Sequence, residues 1–260
     1  MQSLRQILGI LAVVAVAALA APQALAADAP EIASRGTRYD ACVAKIDKKP
    51  EDAFEDARVW DAQGGGAPAG HCAALALVAL HEYGEAAKRF EALARGKGDW
   101  TVDERAQLLD QAGNAWLLEN EPVNGESLFS AALKLAPRNA NIWIGRARAR
   151  ALQKNWAGVE EDAAHALTFD AKRADAYVLR AEARKVRGKS KDARADIEAA
   201  LKIEPSNPDA LVERGIMKLA AGDKNGARAD WLQVLVHAPD GAAGDAARVQ
   251  IQQLEVNVNR

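Results

Sequence analysis

The chain has 260 residues and carries 34 Lys and Arg against 36 Asp and Glu, a formal net charge of −2 at pH 7. That balance lacks the excess of positive charge that holds a polyanion through counterion release, and so excludes a nucleic-acid binder of the ordinary basic kind. Apolar residues at 49% with aromatics at only 5% suit Ala- and Leu-rich packed helices, not a disordered or β-rich chain.

The first segment, MQSLRQILGILAVVAVAALAAPQALAA, has Arg5 in a short polar start, an apolar run from Ile7 to Ala21, and the small-x-small triplet Ala24-Leu25-Ala26. The apolar run is shorter than the roughly 20 residues a membrane span needs. It reads as a signal peptide spanning residues 1–26 and cut after Ala26; an uncleaved anchor is the other reading, disfavoured by Pro22. Export of this kind places the mature chain in the bacterial periplasm. There the two cysteines, Cys42 and Cys72, are expected to form a disulfide, because an oxidising compartment favours the bonded pair. The rival is a metal site from Cys42, His71, Cys72 and His81, whose spacing matches no compact zinc pattern.

Further along, one unit recurs with a period of 34. Leu109, Trp143, Tyr177 and Leu211 keep that step, as do Gly113, Ala147, Ala181 and Gly215. Ala132, Ala166, Ala200 and Val234 follow it too, and so do Pro137, Pro205 and Pro239, with Ala171 in the place of the missing proline. Within the unit, positions 4, 8 and 11 share one face of a first helix and positions 20, 24 and 27 one face of a second. A small residue at 8 permits close helix approach, the proline at 32 stops the second helix, and Gly188 and Gly222 supply turns. Such a hairpin cannot bury both faces alone, so stacking of successive units into an all-α solenoid is the expected fold.

The large residue at 4, Gly or Ala at 8, Ala at 20 and 27, and Pro at 32 resemble the tetratricopeptide repeat (TPR). PDALVERGIMKLAAGDKNGARADWLQVLVHAPDG, Pro208 to Gly241, is a good specimen. The resemblance implies a right-handed superhelix of four repeats at 106–139, 140–173, 174–207 and 208–241, with a capping helix over 242–255. Upstream, residues 34–100 read as two degenerate repeats, the second spanning about 67–100 with Ala74, Ala86 and Phe90 in place and GGGAP at 64–68 as a connecting loop. Cys42 and Cys72 would then lie on first helices of adjacent units. An insertion, TVDER, precedes residue 106, and Thr101 with Glu104 has the spacing of a capping box. Gly125, Val159 and Pro122 depart from the repeat pattern, and predict less regular packing in the first two full repeats.

The charge-rich stretch RAEARKVRGKSKDARAD, Arg180 to Asp196, finds its explanation in this frame. Position 7 is Arg146, Arg180 and Arg214 in three repeats, and position 23 is Asp162, Asp196 and Asp230. The two helices of a hairpin run antiparallel, so each repeat is expected to hold its own Arg to Asp pair. The other bases, Arg184, Lys185, Arg187, Lys189, Lys191 and Arg194, read as a solvated surface.

In a TPR stack the first-helix positions 2, 5, 9 and 12 line the concave side. The candidate protein-binding groove is accordingly Asp110, Asn114 and Leu117; Asn141, Ile144 and Arg148; Asp175, Val178, Glu182 and Lys185; and Asp209, Val212 and Ile216. Ile144, Val178 and Val212 at position 5 are either an exposed apolar strip for a partner or residues packed between neighbouring first helices. Some TPR proteins grip a peptide C-terminal carboxylate with basic groove residues; the aliphatic side chains at position 5 depart from that pattern. The histidines are scattered, and no glycine loop, nucleophile constellation or metal motif stands out. The expected function is non-enzymatic and cofactor-free: a scaffold that binds a segment of another envelope protein. A self-associating architectural protein is the alternative.

Overall fold

The computed structural model describes residues 36–258; the expected signal segment lies outside them. Helices follow one another as α1 (Thr37–Ile46), α2 (Pro50–Trp60), α3 (Gly66–Ala79), α4 (Tyr83–Arg95), α5 (Val102–Leu118), α6 (Pro122–Leu135), α7 (Ala140–Leu152), α8 (Trp156–Phe169), α9 (Ala174–Val186), α10 (Ser190–Ile203), α11 (Pro208–Ala220), α12 (Lys224–His237) and α13 (Ala242–Val258). There is no strand among the described residues. Each helix packs on the next, first helices also touch first helices one repeat away, and α13 covers α11 and α12 at the open end. The result is an all-α solenoid. Its core runs along the array as a series of adjoining apolar clusters, as expected when each unit buries its faces against its neighbours.

The turn inside each hairpin is built the same way five times. His81, Asn120, Lys154, Gly188 and Gly222 all take left-handed φ, from 59 to 87°. The following amide N–H donates to the carbonyl five residues back: Glu82 to Leu77, Glu121 to Trp116, Asn155 to Arg150, Lys189 to Arg184 and Asp223 to Lys218, at 2.8–2.9 Å. This closes the first helix by satisfying a carbonyl that otherwise has no partner. Only two of the five positions use glycine, so the other three hold a conformation that costs an L-residue about 1 kcal/mol.

Close approach between the helices of a pair is also legible at atomic scale. A Cβ on Gly215 would lie 2.3 Å from the Trp231 Nε1, and the Phe129 ring sits where Cβ atoms on Gly113 and Gly145 would be, at 2.8 and 2.4 Å. Gly125 and Val159, expected to loosen the packing, are both buried, Gly125 close to the Gly113 backbone carbonyl. Pro122 opens α6, where its missing N–H is not needed. The Thr101 and Glu104 capping box is present and starts α5 four residues ahead of the repeat.

The N-terminal part is tied on by two devices. Cys42 in α1 and Cys72 in α3 form a disulfide with Cα atoms 6.3 Å apart. Beside it the Tyr39 hydroxyl lies 2.7 Å from His71 Nδ1, and His71 Nε2 lies 2.9 Å from Gln111 Oε1, a buried chain that links α1, α3 and α5. With Nδ1 accepting from the tyrosine, Nε2 carries the proton and donates to the Gln111 oxygen. The metal alternative is therefore not assembled: both sulfurs are in the disulfide, and His81 sits apart at an exposed turn against Tyr83. The expected loop at 64–68 is shorter than that. Asp61–Gly65 forms a wide helical turn, Gly64 and Gly66 take positive φ, and α3 begins at Gly66.

Relief of the turn conformation gives a direct check on this repetition. Lys154→Gly is expected to raise stability by about 1 kcal/mol, Asn120→Gly by less because Asn tolerates that region, and Gly188→Ala to lower stability by about 1 kcal/mol. Urea unfolding midpoints measure all three.

Candidate protein-binding groove

What aligns the groove is a charge system between the helices. Arg146 grips Asp162 through two parallel hydrogen bonds of 3.0 and 2.8 Å; Arg180 grips Asp196 at 3.0 and 2.7 Å, and Arg214 grips Asp230 at 3.0 and 2.8 Å. The three aspartates are buried. A second cation, from position 11, completes each: Arg150, Arg184 and Lys218, at 2.8–3.0 Å. Arg150 and Arg184 also reach back to Glu126 and Glu160 on the second helix of the preceding repeat. Where that glutamate would next recur stands Arg194, and the bridge ends.

These contacts correct the reading of the basic stretch as a solvated surface. Arg184 is half-buried and bonded to both Asp196 and Glu160; Arg187 and Lys189 converge on Glu160, and Lys185 on Glu213. Arg187 and Lys189 are exposed but paired, whereas Lys191 and Arg194 are exposed and have no ion pair among the described residues. Burial pushes the Glu160 carboxyl up, but the hydrogen bonds from Lys189 and Arg184 outweigh it and hold it below the ordinary glutamate range. Asp230 follows the same balance and is held low by Arg214 and Lys218. At Asp162, burial wins and the carboxyl is raised despite Arg146.

On the first helices the groove residues divide into two groups. Leu117, Ile144 and Val212 are 3%, 1% and 8% exposed. Ile144 packs with Ala176, Leu179 and Ala183 of α9, Val212 shares a cluster with Ala247 and Leu254 of the terminal helix, and Val178 is half-buried against that cluster. The exposed apolar strip is thus absent at Ile144 and Val212, because adjacent first helices approach closely enough to use their position-5 side chains as core.

The polar members remain at the surface and form a network. Asp110 and Asn114 of α5 are half-buried and bonded to each other through the Asn114 amide. Asn141, exposed on α7, accepts from Arg173. Arg173 also grips Asp175 at 3.1 and 2.9 Å, and Arg148 reaches the same carboxylate at 3.2 Å. Lys185 binds Glu213 across α9 and α11. Glu182, Asp209 and Ile216 are half-buried beside them.

Two carboxylates stand out electrostatically. Burial, reinforced by Glu213 and Asp209, pushes Glu182 up to about 7, with Lys185 opposing. Asp209 is raised by burial, against the pull of Arg148. Glu213 and Arg173 were not among the residues the spacing identified. Glu213 is at position 6, a site filled by Leu179 in the preceding repeat, so a charge at an otherwise apolar position was the available signal. Arg173 closes the loop before α9, where a period of 34 carries no first-helix face to read.

A scan against models of protein families finds no match, and no curated protein matches the chain. Solved structures do. MamA from Desulfovibrio magneticus RS-1, residues 41 to the end, has a TM-score of 0.56 at 14% identity, covering 66% of this chain and 98% of that one. YrrB has a TM-score of 0.53 at 14% identity, covering 77% and 98%. The Arabidopsis OM64 TPR domain is 28% identical over 46% of this chain and 99% of its own, with a TM-score of 0.45.

The raised Glu182 carboxyl carries a stability cost with a definite sign. Below about pH 4.5 the group is protonated in both folded and unfolded chains and contributes nothing. As pH rises toward 7 the unfolded chain ionises first, so the folded state loses stability until about pH 7, where the loss is complete. Glu182→Gln is therefore expected to stabilise the protein by about 1–3 kcal/mol at pH 8 and by almost nothing at pH 4. Urea titrations at the two pH values measure the difference.

Proposed function

We propose that this chain, a tetratricopeptide-repeat solenoid, is a non-enzymatic scaffold that holds an extended segment of another protein along the concave side of α5, α7, α9 and α11. The observation that carries the reading is the division of labour on those helices. Ile144 and Val212 at position 5 are drawn into the core, while Asp110, Asn114, Asn141, Arg148, Asp175, Glu182, Lys185 and Asp209 stay in reach of a partner's backbone and side chains. An extended segment satisfies its amides on such polar side chains and finds apolar footing at Val178 and Ile216. YrrB is described as a TPR protein with an unusual peptide-binding site, which supports recognition of this kind on the shared fold.

Three of the four histidines are engaged structurally, His71 between Tyr39 and Gln111, His81 with Tyr83, and His165 stacked on Trp143, and His237 is exposed at the end of α12. That supports a binding role without catalysis. Self-association through an apolar strip loses its basis, since Ile144 and Val212 are buried. The proposed setting is the periplasm, on the strength of the N-terminal segment and the Cys42–Cys72 bond. No helix among the described residues is long and apolar enough to cross a membrane.

Site-specific photocrosslinking in the source cell tests the reading. A crosslinker at Asn141 or Ile216 is expected to give a discrete adduct with another protein, and one at Lys191 or Arg194 on the outer face to give none. Adducts from the outer positions alone would contradict it. Mass measurement of the same protein, recovered from the periplasm, is expected to show a chain that begins at Ala27.

A further inference from the structure

We infer that the groove seats a cationic side chain of the partner segment, a lysine or arginine, between Glu182 on α9 and Asp209 on α11. The inference rests on the groove reading above and adds the chemistry of the occupant.

It follows from an accounting of charge on the concave side. Arg148, Arg173 and Lys185 are already committed, the first two to Asp175 and the third to Glu213. Glu182 and Asp209 have no hydrogen bond or ion pair among the described residues, yet both are half-buried, Glu213 acts on both and Asp209 acts on Glu182. Elsewhere this chain sets cations against its sheltered carboxylates: Asp162, Asp196 and Asp230 have two each, and Glu160 has three. Glu182 and Asp209 have no such cation among the described residues, and one from outside is what would supply it. Ile216, at the position of α11 equivalent to Glu182 on α9, and Val178, one turn from Glu182, offer apolar surface for the stem of a long basic side chain. The stability forgone at Glu182 is consistent with a group kept for an occupant.

The charged groups facing Glu182 are Lys185 on its own helix and Asp209 and Glu213 on α11; Arg148 on α7 acts on Asp209. A bound cation favours ionised Glu182, so affinity is full above about pH 7 and falls as pH drops through it.

The test is selection of random dodecapeptides displayed on phage against the immobilised mature protein at physiological salt. Three variants accompany it: Glu182→Gln/Asp209→Asn; Glu161→Gln/Glu198→Gln, which makes the same change of net charge at exposed sites outside the groove; and Asn141→Trp, which obstructs the groove. Selected peptides are expected to be enriched in Lys and Arg over the starting library. Their Kd should weaken roughly tenfold in the first variant, stay unchanged in the second, and weaken roughly tenfold between pH 8 and pH 6 in the wild type but not in Glu182→Gln. Peptides lost on Asn141→Trp but not enriched in Lys and Arg, or enriched peptides that bind Glu182→Gln/Asp209→Asn equally well, would overturn the inference and leave the groove reading standing. If every selected peptide survives Asn141→Trp, or none is selected, both fail.

Discussion

The bidentate pair between position 7 of the first helix and position 23 of the second is the interaction on which the rest of the structure depends. A planar guanidinium meeting a carboxylate through two parallel bonds fixes distance and orientation together, which a sliding apolar contact does not. Repeated as Arg146 with Asp162, Arg180 with Asp196 and Arg214 with Asp230, it sets three successive hairpins in one geometry. A buried pair of this kind is weak evidence for net stability, because desolvation opposes the attraction; its contribution here is registration. The position-11 cations extend the same system, and through Glu126 and Glu160 they fix one hairpin to the next. Aligned hairpins place their first helices side by side, and that alignment forms the face along which the proposed groove runs.

The chain treats charge in two opposite ways. Between helices, carboxylates are surrounded by cations, and the balance of burial and hydrogen bonding holds Glu126, Glu160 and Asp230 below their ordinary range, while at the more deeply buried Asp162 burial still wins. On the first-helix face of the proposed groove, burial outweighs the pull of Lys185 at Glu182 and of Arg148 at Asp209, and both are raised. A fold selected for stability alone would have no reason to keep the second arrangement, since Gln and Asn fit the same space without the desolvation.

The architecture was legible because stacking imposes a period that composition cannot disguise: the identities at positions 4, 8, 27 and 32 survive as volume and backbone constraints, and the helices fall accordingly. The Arg to Asp pairs were readable for the same reason, being antiparallel partners at one height. The five left-handed turns were only half legible, since His81, Asn120 and Lys154 carry none of the glycine signal that marked Gly188 and Gly222. Burial at position 5 was not legible at all. Ile144 and Val212 are core or strip depending on how closely adjacent first helices approach, and that spacing is a property of the array and not of any one helix. Arg184 misled for a related reason: its partners Asp196 and Glu160 belong to two different helices, so a run of bases in the sequence dissolved into separate pairs in space.

A double-mutant cycle on Arg180 and Asp196, read by urea unfolding, tests the registration claim most directly. Asp196→Ala alone leaves the sheltered Arg180 guanidinium without its bidentate partner and Arg184 with Glu160 alone, and is expected to cost about 3 kcal/mol. Combined with Arg180→Met, the two changes should be less damaging than their sum by about 1–3 kcal/mol. Additivity of the two substitutions would contradict the account, because the pair would then be a passenger of the packing and not what aligns it.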